Sequence, residues 1–172
     1  MKKIIPIFVI LLCLLGCKTN QNEIRNENFQ KSLIKNEFPK QLGYVSDYDK
    51  TLNDGEIKKL SKILEDYESK TTNQIAIISI TQNLNENNFD QFALDISNNW
   101  KIGTNEKNNG LTIVFSKKLR KIRICTGSGA EKILTDQICE KVLNEKILPE
   151  FKKGSYYLGL TNGINELIKL WK

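Results

Sequence analysis

The stretch Gly110-Leu111-Thr112-Ile113-Val114-Phe115-Ser116-Lys117-Lys118-Leu119-Arg120-Lys121-Ile122-Arg123-Ile124-Cys125 decides the fold. Leu111 to Phe115 is a nearly continuous apolar run, the pattern of a strand covered on both faces. Only Ser116 to Leu119 separates it from Arg120–Cys125, whose charged and apolar residues alternate, so one face of that strand is wet. A link this short makes the pair an antiparallel hairpin. Upstream, Gln74 to Thr81 is another buried run. Residues 54–72 place Ile57, Leu60, Ile63, Leu64 and Tyr67 at helical spacing behind a cap at Asn53 or Asp54. Residues 88–100 do the same with Phe89, Phe92, Ala93, Ile96 and Trp100. Beyond the hairpin, Thr135 and Asp136 open a helix carrying Ile138, Val142, Leu143 and Ile147, which Pro149 breaks or kinks. A last helix, 154–171, carries Tyr157, Leu160, Ile164, Leu167, Ile168 and Trp171. The order is helix, strand, helix, strand, strand, helix, helix. Helices on both faces of a small mixed sheet bury the most apolar stripe, which predicts a three-layer α/β/α sandwich.

Composition narrows the chemistry. The chain has 172 residues and no histidine, so no imidazole base exists to activate a serine or cysteine nucleophile. Imidazole-rich zinc sites are excluded by the same absence. An apolar fraction of 40% with 27% charged residues fits an ordinary globular domain. The net charge of +6 comes from 26 Lys+Arg against 20 Asp+Glu. No stripe of basic residues interleaves with aromatics, so nucleic acid gets little support. The densest basic run, Lys117 to Arg123, reads as a solvated hairpin turn.

The first residues read as an address. Lys2-Lys3 precedes an apolar run from Ile4 to Leu15, too short for a helix that crosses a bilayer and right for the core of a signal peptide. Leu14-Leu15-Gly16-Cys17 resembles the bacterial lipobox, which implies cleavage before Cys17 and lipid attachment to it. The expected division is a signal peptide over 1–16, a lipidated cysteine and polar tether over 17–41, and a folded domain over 42–172. Such a chain sits in the cell envelope, lipid-anchored to a bacterial membrane on its periplasmic or outer face. Removing Lys2 and Lys3 leaves 24 basic against 20 acidic residues. Cys125 and Cys139 then remain, and they read as two buried small apolar residues, with a disulfide between them as the alternative.

The hairpin also points to a site. Folding about Lys118 brings Asn108-Asn109-Gly110 beside Gly127-Ser128-Gly129 at one end of the sheet. The loop after Trp100 reaches the same end, and the helix opened by Thr135 and Asp136 starts close by. Gly127 and Gly129 suit either a tight turn or an amide nest for an anion. Oxygen-bearing side chains, among them Asp47, Asn108, Asn109, Glu131 and Asp136, suit a hard cation such as Ca²⁺.

Taken in order, Val45-Ser46-Asp47-Tyr48, Trp100-Lys101-Ile102-Gly103 before Asn108-Asn109-Gly110, Arg120 to Ile124 leading to Gly127-Ser128-Gly129-Ala130-Glu131, Leu134-Thr135-Asp136, Ile147-Leu148-Pro149 and Phe151-Lys152-Lys153-Gly154-Ser155-Tyr156 resemble the TPM domain family over residues 42–170. The resemblance implies a Rossmann-like α/β/α sandwich and an exported, membrane-associated protein. A plant thylakoid-lumen member is a calcium-binding acid phosphatase that assists photosystem repair, and a nematode member is an auxiliary protein of a receptor channel. It also implies metal ligands at Asp47, Glu131 and Asp136, with Ca²⁺ or Mg²⁺ as the ion, and pocket residues at Trp100, Asn108, Asn109, Gly110, Gly127 and Gly129. This chain departs from the family in two turns. Asn108 stands where many members have Asp, which removes a charge that would hold a cation. Ser128 and Lys132 stand where many have an aromatic and a glycine. Two readings follow: an accessory module for assembly or maintenance of membrane-protein complexes, or a Ca²⁺/Mg²⁺-dependent acid phosphatase acting on phosphomonoesters.

Overall fold

The structure is a computed structural model that describes residues 38–81 and 84–172. The signal peptide, Cys17 and the tether up to residue 37 lie outside the described residues.

The sheet has four strands: β1 (Val45–Asp47), β2 (Gln74–Ser79), β3 (Gly110–Ser116) and β4 (Lys121–Thr126), in that spatial order. β1, β2 and β3 are parallel, and β3–β4 is the expected antiparallel hairpin. β1 is an addition to the expected order. Its three residues are too few to display a period, and its buried Ser46 breaks the apolar pattern.

α1 (Asp54–Thr71) begins at Asn53, whose side chain accepts the Glu56 N–H at 3.0 Å while the Glu56 carboxylate accepts the Asn53 N–H at 2.9 Å. This reciprocal cap stabilises the helix start by about 1 kcal/mol. Leu60, Leu64 and Tyr67 of α1 join Ile75, Ile77, Leu111, Ile113 and Phe115 in one core. α2 (Phe89–Trp100) covers the opposite face, where Cys125 of β4 donates to the Ala93 carbonyl at 3.6 Å. α3 (Asp136–Val142), a π-turn (Leu143–Ile147), α4 (Leu148–Lys152) and α5 (Tyr156–Leu170) return to the α1 face, where Val142, Leu160, Ile164 and Leu167 join the core. The α/β sandwich is therefore three-layered, as expected. Pro149 does not break the helix. It occupies the first turn of α4, where a missing N–H is tolerated, and the wide turn before it makes room for its ring.

Both parallel connections step the same way across the sheet, yet α1 and α2 lie on opposite faces. Two such crossovers must have opposite hands. One of them is left-handed, against the strong right-handed preference of βαβ units.

The body starts before the expected boundary at residue 42. The Phe38 ring packs 5.6 Å from Phe92, and the Trp100 indole donates to the Pro39 carbonyl at 2.9 Å. At the other terminus, the Tyr67 hydroxyl donates to the Trp171 carbonyl. Trp100 ends α2, and Tyr67 lies one turn before the end of α1; these helices lead into the amino ends of β3 and β2. The body is therefore entered and left at the same rim.

Cys125 and Cys139 are both buried and free. They pack on opposite faces of the sheet, which accounts for the missing disulfide. Burial pushes both thiols up, and Asp136 helps carry Cys139 from 9.0 to about 11. Between those values the unfolded chain loses the Cys139 proton and the folded one keeps it, so stability falls as pH rises. The expected loss from pH 9 to 11 is about 2–3 kcal/mol. Urea melts across that window check this, and Cys139→Ala should flatten the slope at its lower end, before the tyrosines titrate.

Candidate functional site

The amino rim of the sheet holds most of the residues expected there. Gln74 and Gly110 are paired at the amino ends of β2 and β3, and Leu111 faces Thr126. The Gly127 N–H donates to the Gly110 carbonyl at 2.8 Å, and the Gly129 and Ala130 N–H groups donate to the Asn108 carbonyl at 3.1 and 3.3 Å. The two turns thus meet at one end, as expected. Their glycines serve close packing. A Cβ at Gly110 would stand 1.8 Å from the Ile102 carbonyl oxygen, one at Gly129 would stand 1.8 Å from that of Lys107, and one at Gly127 would stand 2.3 Å from that of Asn108. The anion nest is corrected here. The N–H groups of Gly127, Gly129, Ala130 and Glu131 all donate to backbone carbonyls, so they do not point at a ligand.

Asn109 is a buried strut in this knot. Its Nδ2 donates to the Thr72 carbonyl at 2.8 Å and to Asn73 Oδ1 at 3.1 Å. Its Oδ1 accepts from the Thr104 N–H at 3.0 Å and the Thr104 hydroxyl at 3.2 Å. Asn108 takes the left-handed conformation at φ 48° and contributes its backbone. Trp100 lines a cavity of about 330 Å³ with Tyr44, Glu68 and Gln74. Inside it the Tyr44 hydroxyl donates to Glu68 Oε2 at 2.8 Å and Gln74 Nε2 donates to Glu68 Oε1 at 2.7 Å. Gln74 Oε1 in turn accepts the Gly103 N–H at 2.6 Å. The bond to Glu68 pushes the Tyr44 phenol up to about 12, so it stays protonated. Sequence reasoning missed this network. Glu68 sits among the polar residues of an amphipathic helix and looks like any solvated side chain.

The expected metal set does not converge. Asp47 ends β1 opposite Ser79, while Gln74 and Gly110 mark the other end of the sheet. Five residues of strand, about 17 Å, separate the two ends. Asp47 organises the loop into α1: it accepts the Leu52 N–H at 2.7 Å and the Ser79 hydroxyl, and Ser79 Oγ accepts the Asp49 N–H at 2.9 Å. Glu131 is exposed in the glycine turn, and Asp136 is exposed in the first turn of α3. Thr135 caps that helix by accepting the Ile138 N–H at 3.4 Å. Among the described residues no three Asp, Glu or Cys side chains gather closely enough to hold one ion. The donor set carried over for Ca²⁺ or Mg²⁺ therefore does not fit a single cation. The misplacement came from β1: its direction puts Asp47 at the carboxyl rim.

That carboxyl rim carries a cleft of about 490 Å³. Ser116, Arg120 and Lys121 of the hairpin face Leu148, Phe151, Lys152, Gly154 and Tyr156 across it. Its floor is an aromatic cluster: Phe151 packs 4.7 Å from Tyr156, and both rest on Phe115, at 5.5 and 6.1 Å. Lys117 Nζ lies 5.7 Å above the Tyr156 ring.

The model of the TPM domain matches residues 45–170. The chain belongs to the TPM domain family. No curated protein matches the sequence. Solved structures share the TPM fold at low identity. The N-terminal domain of a P. gingivalis protein is 23% identical with a TM-score of 0.66, over 74% of this chain and 80% of that one. The BA42 protein of the psychrophilic bacterium Bizionia argentinensis is 23% identical with a TM-score of 0.60, over 73% and 88%. The N-terminal domain of a Corynebacterium glutamicum protein is 14% identical with a TM-score of 0.55, over 80% and 86%. Two of the three are N-terminal domains.

Proposed function

We propose that this TPM-domain protein is an exported lipoprotein, held at a bacterial membrane by lipid on Cys17, and that its domain is an accessory binding module for assembling or maintaining membrane-protein complexes. The observation that carries the reading is the division of Asp47, Glu131 and Asp136 between two ends of the sheet. Asp47 is engaged in holding a loop, and no common point lies within reach of all three carboxylates. A hydrolytic site that polarises a phosphoryl oxygen through one ion needs such a point. The anchor reading rests on the cationic start, the short apolar run and Leu14-Leu15-Gly16-Cys17.

Fractionation of expressing cells tests the anchor. The native chain is expected in the membrane pellet, and Cys17→Ser is expected in the soluble envelope fraction. Cross-linking of the native chain should then recover one reproducible membrane-protein neighbour. Hydrolysis of a phosphomonoester by residues 38–172 with Ca²⁺ or Mg²⁺, abolished by Asp47→Asn, would replace the binding module with the phosphatase.

A further inference from the structure

Two short segments at the carboxyl rim are dense in cations. Residues 38–172 contain 20 Lys/Arg and 17 Asp/Glu. Six of those cations sit on two short segments, Lys117, Lys118, Arg120 and Lys121 in the hairpin and Lys152 and Lys153 at the end of α4. Asp49, Asp90 and Glu150 lie against the same segments, so this end carries six cations against three anions and the remainder, 14 cations to 14 anions, is balanced. Lys121 is within 3.5 Å of Asp90, and Lys153 is within 2.8 Å of Glu150. Lys117, Lys118, Arg120 and Lys152 have no carboxylate partner among the described residues. Arg120 and Lys152 line the cleft floored by Phe151 and Tyr156, Lys117 stands over the Tyr156 ring, and Lys118 follows it, exposed, in the hairpin turn.

From this geometry we propose that the carboxyl rim docks on the surface of a bilayer containing anionic phospholipid, with phosphate groups against Lys117, Lys118, Arg120 and Lys152 and a headgroup over the aromatic floor. Charge complementarity selects this occupant. The cationic end attracts an anionic plane and the balanced remainder does not, so the field favours approach by this rim. This goes beyond the anchor proposed above, which acts through Cys17 and needs no contact from the domain. The two are geometrically compatible. Twenty residues separate Cys17 from Phe38, and a chain of that length reaches up to about 65 Å, well beyond the sheet's edge-to-edge distance.

Co-sedimentation of residues 38–172 with vesicles tests the proposal without the lipid anchor. Binding is expected to phosphatidylglycerol mixed into phosphatidylcholine and not to phosphatidylcholine alone, and it should disappear at about 1 M salt, where screening acts within about 3 Å. Each lysine removed should weaken partitioning roughly fivefold, so the triple variant Lys117→Gln, Lys118→Gln, Lys152→Gln should lose about a hundredfold. The control triple Lys58→Gln, Lys59→Gln, Lys70→Gln, on exposed positions of α1, should stay within about twofold. All six positions are exposed, and unchanged thermal melts confirm folding. Equal loss in both triples, or equal binding to neutral vesicles, would overturn the docking face. Saturable binding of soluble glycerol phosphate without any vesicle binding would reassign the cleft to a free anion.

Discussion

Gly110→Ala is expected to lower the unfolding free energy by about 4 kcal/mol or more, among the largest effects of any single methyl group in this chain. The new Cβ would lie 1.8 Å from the Ile102 oxygen and 2.4 Å from its carbon, both backbone atoms. A side chain could rotate away, but here the loop from Ile102 must move. That movement pulls on Gly103, which sits at φ 98° and whose N–H is held by Gln74. It also disturbs the Gly127 N–H bond to the Gly110 carbonyl. Gly163→Ala is the calibrating comparison. Its Cβ would meet Ile147 Cγ1 and Cδ1 at 2.4 and 2.5 Å, so this buried β-branched side chain must shift, at about 1–3 kcal/mol, but the clash is not with backbone. Against that, alanine favours the α5 helix by up to about 1 kcal/mol. Urea melts of the two variants should therefore separate widely. A Gly110→Ala protein within about 1 kcal/mol of the native one would mean that the three backbones do not cross as closely as described.

Asn109→Ala should cost about 1–3 kcal/mol, because it removes the buried side chain that ties the part-buried Thr104 N–H to the Thr72 carbonyl, along with two side-chain partners. The more telling variant is Asn109→Asp. A carboxylate keeps the acceptor for Thr104 but loses both donors, and it sets oxygen against the Thr72 carbonyl and Asn73 Oδ1. A strut predicts that Asp is as damaging as Ala, with no rescue by divalent cations. A cation ligand predicts the reverse: a milder loss in Asp, reversed by Ca²⁺. Thermal melts of both variants with and without Ca²⁺ distinguish the two.

These residues also mark where sequence reading succeeded and where it stopped. α1, α2 and the β2–β4 runs are long enough to display a period, and each appeared within a few residues of its expected place. The meeting of Asn108-Asn109-Gly110 with Gly127-Ser128-Gly129 followed from hairpin geometry alone. What stayed hidden was non-local. The direction of β1 sets which rim receives Asp47, and three residues carry no directional signal. The contacts that draw Phe38 and Pro39 into the body come from residues far along the chain. Of the Lys117–Arg123 run, Lys117 to Arg120 is the expected solvated turn, while Lys121 and Arg123 lie half-buried in β4 beside Asp90. That the turn stands across a cleft from Lys152 became visible only when α4 and α5 were folded back over Phe115.

The shared rim of entry and exit has a topological corollary. A linker from Trp171 to Phe38 would pass round the amino rim from the α1 face to the α2 face, and a new opening between Lys118 and Leu119 would lie at the other rim. Such a circular permutant breaks only the bonds of the hairpin turn, from Arg120 to Lys117 and from Leu119 to Ser116. The connectivity of this fold is close to a ring, and its ends can be relocated with little change to what they hold together.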